Sequence, residues 1–145
     1  MPASYPITSL DGISADDAAE LRKAGIRTTV TFLVMAKSAK GRTDLSKQTG
    51  IDQRRLLRWA NIADFLRVNG LGRGYVELLN NVGVDTVRDL RYRNPGHLAE
   101  RMADTNKKKK LVRLVPTEKA IGRWIAHARK LPLKITYRKK AKPDA

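Results

Sequence analysis

Residues 68–91 read VNGLGRGYVELLNNVGVDTVRDLR, a helical stretch bracketed by glycines. Gly70, Gly72 and Gly74 supply the positive φ and bare backbone of a tight turn, and a helix is expected to begin at about Tyr75. Apolar residues then recur at three-to-four spacing through Val76, Leu79 and Val82, the stripe of a helix with one buried face. Gly83 followed by Val84 marks its end, as an αL cap requires. Thr86-Val-Arg-Asp89 reads as a capping box that opens the next helix.

The same text occurs earlier. Residues 10–33 align with residues 68–91 at an offset of 58, pairing Gly12 with Gly70, Ile13 with Leu71, Leu21 with Leu79, Gly25 with Gly83, Thr28 with Thr86 and Phe32 with Leu90. By that alignment Thr28–Val34, although β-branched, is predicted to be helical. A second pair follows at an offset of 65, with residues 53–67 matching residues 118–132. Leu56 falls on Ile121, Trp59 on Trp124, Ala63 on Ala128 and Leu66 on Leu131, all on one apolar stripe with Asp52 and Thr117 as N-caps. The growth in offset places about seven extra residues within Asn106–Pro116, so Lys107–Lys110 is expected to be an inserted loop. The chain is therefore expected to be all-α, with halves at 1–66 and 67–132 and a flexible basic tail over 133–145. The 118–131 helix is expected to pack beside the first turn, closing a pseudo-twofold.

Charge narrows the partners. The 145 residues hold 30 Lys and Arg against 14 Asp and Glu, a net +16, and the surplus is +3 before residue 67 and +13 from there on. Such a field favours polyanions and places the binding face in the second half. Cysteine is absent, which excludes disulfides and thiolate metal sites. No leader pattern and no apolar run of about 20 residues occurs, so a cytoplasmic protein without a membrane segment is expected. His97 and His127 have no ligand companions and are expected at the surface. With no metal set, no nucleophile–base pair and no Walker-type loop, the chain is read as non-catalytic and free of cofactors.

The second turn carries the candidate chemistry. A glycine turn before a helix leaves amide N–H groups pointing outward at the positive end of the helix dipole, a site suited to a phosphate. The candidate contacts are Arg67, Gly70, Leu71, Gly72, Arg73 and Gly74, joined by Lys107, Lys108, Lys109, Lys110 and Arg113 and by the tail residues Arg138, Lys139, Lys140 and Lys142. The first turn is an internal control. There Ser14 and Asp17 read as a capping box, and Asp16 and Asp17 would satisfy the free amides and repel an anion. Trp59 and Trp124 lie in register on apolar stripes and are expected in the core, as is Tyr75 beneath its turn. Few aromatic residues then remain to stack on bases.

Gly70-Leu71-Gly72, Tyr75, Gly83-Val84-Asp85-Thr86, Val112-Arg-Leu-Val-Pro116 and the paired Trp59 and Trp124 together resemble the bacterial domain of unknown function 4332, over about residues 7–132. The hairpins of that family in turn resemble the helix-hairpin-helix (SAM-like) units of DNA repair proteins and nucleases. The resemblance implies a grip on the sugar-phosphate backbone that does not read sequence, and it implies no reaction. Gly12-Ile13-Ser14 departs from the glycine pattern. The expected function is thus nucleic-acid binding, DNA in preference to RNA, with a protein-interaction module or a structural-RNA accessory protein as alternatives.

Overall fold

The computed structural model describes residues 4–137, without the side chain of Arg73. A short 3-10 turn at Ile7–Ser9 leads into α1 (Ala15–Lys23), α2 (Thr29–Ala36), α3 (Ala39–Thr49) and α4 (Gln53–Phe65). The chain continues through α5 (Gly72–Asn81), α6 (Val87–Leu90), α7 (Pro95–Lys109) and α8 (Glu118–Lys130). The fold is all-α: among the described residues the only β pairing is an isolated antiparallel bridge between Pro6 and Thr28.

Local chemistry explains where the helices start. Ser14, Thr28, Ser38, Asp52, Thr86, Asn94 and Thr117 each accept a hydrogen bond from a first-turn amide of the helix they precede. Such a bond satisfies one of the four donors that a helix leaves unpaired at its N-terminus. Helix α5 is the exception, with Leu71 at its N-cap position and no side-chain cap. The two capping boxes form only their hydroxyl half. The carboxylate of Asp17 pairs instead with Arg55, and that of Asp89 with Arg93.

Helix ends and turns repeat at the offset of 58. Gly25, at φ 86°, donates to Arg22 O at 2.9 Å while Ile26 N–H reaches Leu21 O at 2.9 Å. Gly83, at φ 87°, donates to Asn80 O at 3.1 Å while Val84 N–H reaches Leu79 O at 2.9 Å. Both follow the paired-bond pattern of an αL helix stop. Ile13 N–H to Leu10 O and Leu71 N–H to Val68 O are likewise both 3.2 Å.

One continuous core joins all of this, running through Ile7, Phe32, Leu56, Phe65, Leu79 and Ile121. Trp59 and Trp124 are buried in it, and the Trp59 ring meets Phe32 edge-on at 6.5 Å. Helix α4 packs on α2 and α3, while α8 packs on α7 and α6.

Four expectations need correction. Helix α8 packs beside the second turn rather than the first, because Tyr75 offers Trp124 a ring at 5.2 Å at the position where the first repeat has Asp17. Lys107–Lys109 form the last turn of α7, with Lys110 in the left-handed conformation as its cap. Lysine is a good helix former and cations suit a C-terminal turn, so the helix absorbs the run. Helix α5 starts at Gly72 rather than Tyr75. Finally, residues 133–137 are held: Thr136 N–H donates to Lys37 O at 2.8 Å, Arg42 donates to Thr136 O at 2.5 Å, and the Tyr137 hydroxyl lies 3.3 Å from Asn61 Oδ1. Arg138, Lys139, Lys140 and Lys142 lie outside the described residues.

Candidate functional site

The second turn is built on a buried anchor. Val68 and Leu71 are buried in the core, whereas Asn69, Gly70 and Gly74 are exposed and Gly72 is half-exposed. Burying a leucine stabilises by about 2 kcal/mol, so Leu71 pins a turn whose backbone otherwise faces solvent. Gly70 and Gly72 take φ values of 81° and 66°, which bring consecutive amides round to the start of α5. No side chain caps α5, so its first-turn amides are left without a capping acceptor at the positive end of the helix.

Two grooves of opposite charge flank this turn. On one side lies a cavity of about 480 Å³, lined by Leu10, Asp11, Gly12 and Ile13 of the first turn and by Gly74 and Glu77 of α5. Asp11 and Glu77 make it unsuited to an anion. On the other side lies a second cavity of about 480 Å³, between Asn69-Gly70 and α8, lined by Arg123, Trp124, His127 and Lys130. The turn is fastened to this second wall. Asn69 N–H donates to His127 Nδ1 at 2.9 Å, and the Cβ position of Gly70 would lie 3.6 Å from Trp124 Nε1. Tyr75 closes the back, its hydroxyl donating to Leu114 O at 3.1 Å.

The candidate residues separate into those the fold gathers and those it does not. Gly70, Leu71, Gly72 and Gly74 form the turn, and the main chain of Arg73 lies in the first turn of α5. Arg113 is exposed and adjoins Leu114, which the Tyr75 bond brings to the start of α5. Arg67 is not available to an anion: it is buried against Asp64, its Nε 2.7 Å from Asp64 Oδ1, and its Nη2 donates to Pro132 O at 3.2 Å. Nor does the lysine run meet the turn. Lys109 Nζ bonds Asn81 Oδ1 at 2.6 Å, at the far end of α5, roughly 14 Å from Gly72 along the helix axis.

Sequence reading missed the basic side chains that do adjoin the turn. Arg123, His127 and Lys130 follow one another at four and three residues on α8, a polar stripe beside the apolar one, and that spacing was the available signal. His127 is half-buried and holds the turn, so it is not simply a surface histidine. Among the described residues no group of three His, Asp or Glu side chains could hold a metal ion, and no helix is long and apolar enough to cross a membrane.

No curated protein and no solved structure matches the chain. A family model does, over residues 11–131, which is most of the chain and includes both glycine turns and both tryptophan helices. The chain belongs to the family described as domain of unknown function 4332.

Proposed function

We propose that this is a non-catalytic, duplicated helix-hairpin-helix protein that binds nucleic-acid backbone, DNA in preference to RNA, at its second turn and without reading sequence. The observation that carries this reading is that α5 alone among the described α-helices has no side-chain cap, and that Asn69 and Gly70 of the turn leading into it line a groove bearing Arg123 and Lys130. The recurrence of the turn and helix-stop bonds 58 residues apart supports the duplicated unit. A phosphate would take the uncapped amides of Gly72 to Gly74 and approach from the α8 side, because Asp11 and Glu77 line the other groove. Arg113 and the lysines of α7 would meet phosphates further along. Because Lys109 is held roughly 14 Å from Gly72 along the axis of α5, the two would meet different phosphates. Phosphate contacts position a protein without specifying a sequence, and a chain without cysteine suits the reducing cytoplasm.

Gly72→Asp tests it. The substitution adds a Cβ in open space at a positive φ that Asp tolerates, so the fold is expected to survive while a carboxylate enters the anion site. Gel shifts with a 20-base-pair duplex should show at least a ten-fold weaker complex. Full affinity in the folded variant would end the proposal. Arg123→Gln with Lys130→Gln should in addition reduce the log–log salt slope by about 1.8. Tighter binding of structured RNA than of duplex DNA would favour the RNA alternative, and failure on every nucleic acid the protein-partner alternative.

A further inference from the structure

Tyr92 is 78% exposed, the most exposed of the large apolar residues in the described structure. It comes just after Arg91, the C-cap of α6, and Arg91 is locked to Arg129 of α8 by reciprocal bonds. Arg91 Nη2 donates to Arg129 O at 3.2 Å, and Arg129 Nε donates to Arg91 O at 3.0 Å. Each guanidinium therefore sits on the other residue's main-chain carbonyl, which draws two cations together at the C-terminal ends of two helices. Such carbonyls favour cations, so the pair is held in place without a carboxylate. Among the described residues neither arginine is in an ion pair, whereas Arg93 on the far side of Tyr92 is bound to Asp89 at 3.0 Å and to Gly83 O at 3.2 Å. The cluster thus combines an exposed tyrosine, next in the chain to Arg91, with two mutually held arginines that have no acidic counterpart among the described residues.

We infer that Arg91, Tyr92 and Arg129 form a second nucleic-acid contact, one that takes a single-stranded segment, with a phosphate against the two guanidinium groups and an unpaired base stacked on Tyr92. Duplex bases are already stacked on one another and offer no face to a side chain, whereas an unpaired base does. The position on α8 fits: Lys130, adjacent to Arg129, lines the groove beside the second turn, so a strand leaving that turn reaches the cluster within one helical turn. This inference shares with the proposed function only the chemical class of the ligand and stands on different residues.

Binding of a fluorescent oligo(dT) 12-mer and of a blunt 20-base-pair duplex, followed by anisotropy at low salt, tests it. Tyr92→Ala, at an exposed position, is expected to weaken oligo(dT) binding about ten-fold while changing duplex affinity less than two-fold. Tyr92→Phe, which keeps the ring, should restore it. Arg91→Gln with Arg129→Gln should weaken the same complex and flatten its salt dependence. The inference is overturned if wild-type protein does not bind oligo(dT), if Tyr92→Ala binds it unchanged, if both nucleic acids lose equally, or if poly-glutamate of matched charge binds as tightly and with the same sensitivity to Tyr92→Ala. Gly72→Asp separates the two readings. Loss of duplex binding there with no effect of Tyr92→Ala sinks only the second contact, and the converse sinks only the first.

Discussion

Arg67 lies three residues beyond Asp64, and that spacing, rather than its nearness to the glycines, governs its role. Both side chains are almost fully buried, at 8% and 5% exposure, so each is the other's compensation for leaving water. Arg67→Ala is expected to cost about 3–5 kcal/mol, read as a shift of the urea midpoint, because it strands a buried carboxylate. A loss below about 1 kcal/mol would mean that water reaches the pair. Burial pushes the Asp64 carboxyl above its ordinary value of 3.8, against the pull of Arg67. A carboxyl raised in this way stabilises the fold fully below its unfolded value, and that contribution is lost as the pH rises through the folded value. Stability of the wild type relative to Asp64→Asn should therefore decline as the pH rises above 3.8, and a difference that grew over this range would contradict the assignment. In sequence Arg67 is a basic neighbour of the turn, and only its packing against Asp64 takes it out of reach of a ligand.

At the scale of elements, caps made most of the fold legible. Hydroxyl and carboxylate N-caps at Ser14, Thr28, Asp52, Thr86 and Thr117 were all readable in the sequence, since capping is a bond over two or three residues and needs no tertiary partner. The segment after α7 was not. Asn106 clamps it, its side chain donating to Val112 O and accepting from Val112 N–H, both at 2.9 Å. This fastening turns the chain back along α5 and delivers Leu114 to Tyr75. Asn106→Ala should cost about 1–2 kcal/mol and speed hydrogen exchange at the Val112 amide, while the Leu90 amide in α6, bonded to Thr86 O, keeps its protection. Uniform acceleration across the protein would point instead to global destabilisation.

At the scale of the whole molecule, residues 133–137 return from α8 to the first half of the chain and fasten it. Arg42 is buried there and is in no ion pair among the described residues; its guanidinium donates to three carbonyls, those of Ala36, Lys37 and Thr136. Desolvation lowers its pKa. Arg42→Ala is expected to cost about 3 kcal/mol or more, since bonds from a charged donor are the strong ones. Burial raises the Tyr137 hydroxyl above its ordinary 10.0, with the Asn61 bond opposing. Its contribution is accordingly complete below pH 10.0 and lost as the pH rises through the folded value. In alkaline unfolding, Tyr137→Phe should therefore decline less steeply than the wild type above pH 10.0, and parallel curves would show that Tyr137 plays no part.

The amino-acid order alone determined the repeated helices, their caps, the glycine stops, the burial of both tryptophans and the family, because each depends on residues within a turn or two of one another or on a pattern repeated along the chain. Only the tertiary structure decided which charges face the second turn. Asp64 removed Arg67 from the surface, helix α7 carried the lysine run to the far end of α5, and α8 brought Arg123 and Lys130 alongside Gly70. Those outcomes depend on contacts between residues 28 and 58 positions apart or on the desolvation of a buried pair, and neither is set by the local sequence.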